Sequence, residues 1–161
     1  MLGVPPYESL QIQSLLQHDP ARPIEEGVGL FIFPAGGDGR TLFDLAVLPA
    51  MRKNGLNHTA VREVFHDASM LADVCRTVQT AQVIVVDLDD LNPAVMYVLG
   101  LCHGLRRCPI LLTRDATTLP FNLAALRYVE YTSLKPGYFT LRDRLERALR
   151  VFIAATRAAP G

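Results

Sequence analysis

Gln82 to Leu88 reads QVIVVDL, a β-branched run that is apolar at both alternating sets of positions. A strand wetted on one face would alternate with polar residues. This one needs cover on both faces, which occurs in the middle of a parallel sheet with helices on each side. The run passes into an acidic turn, Asp89-Asp90, and then into Asn92-Pro93. An Asn side chain can accept from the first free N–H groups of a helix, and Pro loses nothing at the first helical position. Strand, turn and helix together make one β/α unit.

The pattern repeats from Gly27 onward. Val28 to Phe33 is a second buried strand, followed by the loop Pro34 to Arg40 and a helix over about 41–54, closed by Gly55 as a C-cap. Ala60 to Phe65 is expected to be a strand. Asp67 then caps a helix with Met70, Leu71, Val74, Cys75 and Val78 on one side. Pro109 to Leu112 and Tyr128 to Tyr131 complete the strands. A closing helix over about 140–155 carries Leu141, Leu145, Leu149, Phe152 and Ile153 as its apolar stripe, with Thr140 and Asp143 at capping spacing. Its other side, Arg142, Arg144, Glu146, Arg147 and Arg150, reads as a solvated face.

Alternation of this kind predicts an α/β fold: a flavodoxin-like (Rossmannoid) three-layer sandwich around a five-stranded parallel sheet ordered 2-1-3-4-5. A ligand would then bind at the carboxyl ends of strands one and three. The 161 residues suit one domain over 27–157, preceded by an arm at 1–26 and followed by a short tail at 158–161. Within the arm, Leu10, Ile12, Leu15 and Leu16 form a one-sided stripe between two Pro-containing stretches. That segment is expected to pack on the domain or on a second copy, making a homodimer possible.

Sixteen basic side chains balance sixteen acidic ones. No global field favours nucleic acid or an anionic membrane as partner. The apolar runs are far shorter than the ~20 residues of a membrane span, and the start lacks signal-peptide character, so a cytoplasmic protein is expected. Cys75, Cys102 and Cys108 have no C-x-x-C spacing and read as three free buried thiols. His103 reads as a core histidine, and Gly100 and Gly104 as marks of close helix packing. No Ser or Cys stands in an interpretable relation to any of the four histidines, and no metal site is expected.

Two loops at the expected ligand edge could carry chemistry. In Pro34-Ala35-Gly36-Gly37-Asp38-Gly39-Arg40, the glycines Gly36, Gly37 and Gly39 would let the backbone approach a phosphate, with Arg40 adding a charge-assisted bond. A plain flexible turn explains the same glycines. In the second loop, Asp87, Asp89 and Asp90 could hold magnesium, orient ribose hydroxyls or share a proton; alternatively they bond loop N–H groups and favour the helix N-terminus. GGDG also occurs in lipid and nicotinamide-dinucleotide kinases, and VIVVDLDD in haloacid-dehalogenase-type phosphatases. The rest of the kinase folds is not visible in the sequence, and the phosphatase motif has no convincingly placed downstream Lys and acidic pair.

A larger set of residues carries a resemblance. Phe31-Ile32-Phe33-Pro34, Phe43-Asp44, Leu48-Pro49-Ala50, Ala81 to Leu88, Asn92-Pro93, Val95, Tyr97, Leu99-Gly100, His103, Leu119-Pro120-Phe121, Leu123 and Leu126-Arg127 are together similar to bacterial TIR-like domains related to nucleoside 2-deoxyribosyltransferases. The resemblance runs over about 27–131. It implies binding of a nucleoside, nucleotide or NAD at the carboxyl edge of the sheet, through Pro34, Gly36, Gly37, Gly39, Arg40, Asp87, Asn92 and position 98. Active members cleave an N-glycosidic bond with a helix Glu, whose carboxylate stabilises or traps the oxocarbenium-like sugar. Val98 stands where that Glu would be, Ala94 replaces a second Asn, Asp89-Asp90 replace Thr-Gly, and Asn122 replaces an Asp. A valine can neither attack nor stabilise the sugar. Two expectations follow: a ligand-binding or self-associating module that has lost catalysis, or an enzyme with a relocated acid among Asp87, Asp89 and Asp90, with Glu63 more distant.

Overall fold

The computed structural model describes residues 22–64 and 68–158. It is a mixed α/β, Rossmann-like fold built on a parallel sheet, with strands β1 (Glu25–Pro34), β2 (His58–Val64), β3 (Ala81–Asp87), β4 (Ile110–Thr113) and β5 (Tyr128–Glu130). The strands lie in the order β2-β1-β3-β4-β5 and all pair in parallel. β5 is a three-residue edge strand with exposed side chains at both ends, and β2 is the opposite edge, so β1, β3 and β4 make the interior of the sheet.

Side-chain alternation sorts the core into two layers. Phe31, Phe33, Val83, Val85 and Leu112 face one way, against Leu42, Phe43, Met51, Leu141, Leu145 and Leu149. Leu30, Ile32, Ile84, Val86 and Leu111 face the other, against Val74, Val78, Val95, Val98, Leu99 and Leu123. β3 is sealed on both faces, as its continuous apolar run requires.

The first layer holds α1 (Gly39–Leu42), a π-helical turn (Phe43–Val47), α2 (Leu48–Lys53) and α6 (Lys135–Ala158). The opposite layer holds α3 (Ala68–Thr80), α4 (Pro93–Gly104) and the single turn α5 (Phe121–Ala124). Sequence periodicity did not indicate the π turn. Pro49 has no N–H, and its ring would crowd the Leu45 carbonyl of a regular α-helix. The wider turn, closed by Leu48 N–H donating to the Phe43 carbonyl, relieves that conflict.

Several expectations are corrected. β1 begins at Glu25, so the last two residues of the expected arm belong to the sheet. The closing helix starts at Lys135, with Pro136 in its first turn and Thr140 inside the helix, its hydroxyl donating to the Pro136 carbonyl. Glu146 is not on a solvated face: it is buried and accepts from Lys53 at 2.8 Å, tying α6 to α2. Gly100 and Gly104 have open space around them, and His103 is exposed. Cys75 and Cys102 are buried, whereas Cys108 is exposed. The expected arm helix over 7–17, the Asp67 cap and Phe65 lie outside the described residues. Among the described residues, no helix is long and apolar enough to cross a membrane.

Candidate functional site

All five strands run the same way, so the loops after Pro34, Asp87, Thr113 and Glu130 share one edge of the sheet. That edge collects Asp38, Asp87, Asp89, Arg114 and Tyr131.

Asp87 ends β3 and is only 2% exposed. The Tyr131 hydroxyl lies 3.1 Å from its Oδ1 and 3.2 Å from its Oδ2, and the Asp89 N–H donates to Oδ1 at 3.3 Å. Burial, with a smaller contribution from the Asp89 charge, pushes the Asp87 carboxyl up to about 7. Burial also raises the Tyr131 phenol, with Asp87 adding to it, so the phenol remains a donor. Tyr138 stacks obliquely beneath Tyr131 at 6.4 Å between ring centroids.

Asp89 is buried and held by both arms of the Arg114 guanidinium: Nε donates to Oδ1 at 2.6 Å and Nη2 to Oδ2. The remaining nitrogen of Arg114 lies 3.8 Å from Asp38 in the glycine-rich loop. The hydrogen bond to Asp89 leads the effects that raise the Arg114 pKa further, so it stays charged. Asp90 differs from its neighbours: it is exposed, at φ 55°, and Leu91 follows at φ 47°. Left-handed backbone at two non-glycine residues costs roughly 1–2 kcal/mol each, so this turn is held by what surrounds it. Among the described residues, no group of three His, Cys, Asp or Glu is placed to hold a metal ion. The magnesium reading of the three carboxylates has no support here.

In the glycine-rich loop, Gly36 has φ 82° and open space around it, and Gly37 is equally open. Both are exposed at the rim. Gly39 answers a different need, since a Cβ there would come 2.1 Å from the Phe33 ring. Pro34 is buried at the end of β1. Arg40 turns back on its own helix, 3.7 Å from Asp44 and 5.5 Å from the Phe43 ring centre. It is not aimed at the loop mouth. Asn92 caps α4, its Oδ1 accepting from Ala94 N–H at 3.0 Å and Val95 N–H at 3.4 Å. Val98 is 1% exposed among Leu30, Val95, Leu99 and Leu123, so it lines no accessible pocket.

The edge thus brings Asp87, Asp89 and the Gly36-Gly37 turn together; Asn92 sits in the same loop as a helix cap, Arg40 turns to Asp44 and Phe43, and Val98 is buried in the core. No protein-family model matches the chain, and no curated protein matches it. Beside the acidic cluster, a cleft of about 390 Å³ has Arg114, Glu130, Tyr131, Thr132, Thr140 and Arg144 among its lining residues. Arg114 and Tyr131 are the residues that sequence reasoning missed. A polar Arg114-Asp115 directly after the strand Ile110–Thr113 is the available signal for the first; nothing local marks the second.

Arg114→Ala would leave Asp89 as a buried, unpaired carboxylate. Breaking a fully buried pair costs 3–5 kcal/mol; Arg114 is 33% exposed, so a loss of about 2 kcal/mol is expected by urea denaturation. Adding Asp89→Asn should recover at least half of it. Full stability of the single variant would mean that the clasp contributes nothing.

Proposed function

We propose that this chain is a TIR-like, nucleoside 2-deoxyribosyltransferase-like module of flavodoxin-like topology that has lost glycosidic catalysis. It binds a nucleotide- or nucleoside-type ligand at the carboxyl edge of its sheet, or uses that edge to hold a protein partner. The observation that carries this reading is that the protein itself occupies the acids of the edge: Tyr131 covers Asp87, and Arg114 takes both oxygens of Asp89. A catalytic carboxylate needs an open oxygen within reach of the sugar. The cleft between Arg114 and Arg144, which Glu130 also lines, supplies cationic side chains for an anionic ligand, and the exposed turn at Gly36-Gly37 leaves room beside it.

The test pairs two measurements on the native protein: chromatography for free base after incubation with NAD and a panel of 2′-deoxynucleosides, and calorimetric titration with the same compounds. Binding without base release is expected. Release above the blank would overturn the loss of catalysis, and absence of both would remove the small ligand and leave the protein-contact role.

One observation favours the enzyme reading. A carboxyl titrating at about 7, as Asp87 does, is poised for proton transfer at neutral pH. On that reading Asp87→Asn abolishes base release while the fold persists.

A further inference from the structure

The β4-to-β5 crossover contains a 3-10 turn (Ala116–Thr118) and the single turn α5 (Phe121–Ala124) but no full helix, and the helix packed against β5 is α6, from the other layer. A groove of about 970 Å³ opens there, with Ile110, Leu126, Tyr128, Val151 and Phe152 among its walls. Leu126, Tyr128 and Val151 are 39%, 37% and 63% exposed, a concentration of wet apolar surface that favours an occupant. The groove shares Cys108 and Phe152 with a second cleft of about 670 Å³, and Ile24 lines that second cleft. The chain therefore enters the described fold at the groove's mouth.

Residues 1–21 lie immediately upstream. They contain the apolar set Leu10, Ile12, Leu15 and Leu16, the acids Glu8 and Asp19, and no Lys or Arg. The first cleft carries Arg127 and Arg147 on its walls, and the second Arg106, Arg107 and Arg157 against a single acid, Glu26. Charge and apolar character are complementary in both respects.

We propose that the segment over 7–17 docks into this groove of its own chain, with Leu10, Ile12, Leu15 and Leu16 covering Leu126, Tyr128 and Val151. Seven peptide steps separate Gln17 from Ile24, enough to reach about 24 Å when extended, and Pro20 and Pro23 favour extension. A tether this short gives an effective concentration in the mM range, which favours the chain's own groove over that of a second copy.

The protein carries its own reporter. Cys108 is exposed on the shared wall of the two clefts, while Cys75 and Cys102 are buried. A segment docked nine-tenths of the time lowers access to Cys108 about tenfold. Maleimide labelling of Cys108 should therefore be about tenfold faster in Ile12→Ser/Leu15→Ser/Leu16→Ser than in the intact chain; equal rates would overturn the proposal. In a second experiment, Leu10→Cys, Gln13→Cys and Leu16→Cys are oxidised separately at low protein concentration and mapped by peptide mass. At least one should form an internal disulfide with Cys108. Disulfide-linked dimers in its place would assign the groove to a second copy, and no bond in any variant would leave the segment outside it; either result overturns docking within the chain.

Discussion

Val98→Glu is expected to cost about 3–5 kcal/mol of folding stability without creating an active site. Val98 is 1% exposed between the sheet and α4, surrounded by aliphatic side chains. A longer side chain overpacks that space, and its carboxyl would have no polar partner among the residues packed there. An ionised carboxylate there costs several kcal/mol in desolvation, so the group would retain its proton above the usual carboxylate range. The sign of the pH effect follows. With a folded-state pKa above the unfolded value, the native state binds the extra proton between the two, so the variant loses further stability as pH rises through that window. Against a domain stability of roughly 5–15 kcal/mol, the loss is large. Urea denaturation at pH 5 and pH 8 checks it. A midpoint equal to that of the native protein at both pH values would show that position 98 has access to solvent or a polar partner, and would reopen the family's glycosidic geometry for this chain.

Asp87→Asn is expected to act in the opposite direction, stabilising the protein above neutral pH. The folded Asp87 carboxyl holds its proton up to about 7, against 3.8 for an unperturbed group. In that window the folded state binds more protons than the unfolded chain. The contribution is therefore fully present below about pH 4 and is lost as pH rises to 7, a cost of about 4 kcal/mol by the end of the window. Asparagine keeps an oxygen for the Tyr131 hydroxyl and the Asp89 N–H while removing the titration. The difference in unfolding free energy between the two proteins should be small at pH 4 and grow to several kcal/mol by pH 8, in favour of the variant. A difference that stays flat with pH would show that Asp87 titrates normally and that water reaches it.

Fold class was readable because it depends on local pattern. Val83 to Val86 needs cover on two sides wherever it sits, Asn92-Pro93 opens a helix in any context, and Gly55 at φ 80° closes one. What escaped the sequence depends on distant partners. Arg114 finds Asp89 across 25 positions and Tyr131 finds Asp87 across 44, and no periodicity encodes such pairings. Glu146 looked like one charge among several on α6, yet its neighbours on α2 bury it. The glycines misled in both directions. Gly39 looked like a ligand contact and instead makes room for Phe33, whereas Gly100 and Gly104 looked like packing marks and face open space. Cys108 was assigned to the interior from its apolar context and His103 from the apolar helix that carries it, but both are exposed on the wall of the groove beside α6.

Arg114 touches three chain segments that are remote in sequence: its own loop after β4, Asp89 after β3 and Asp38 after β1. Such a rivet makes the rim mechanically cooperative. None of the three loops can swing outward without first surrendering a charge-assisted contact, so their excursions should be synchronised, and amide hydrogens over 36–39, 88–91 and 114–116 should exchange with one shared opening rate. Any anion entering beside Arg114 would have to compete with Asp89 for the guanidinium. Its arrival would therefore be felt at Gly36 and Gly37, on the far side of β3, as a loosening of the loop that Asp38 anchors.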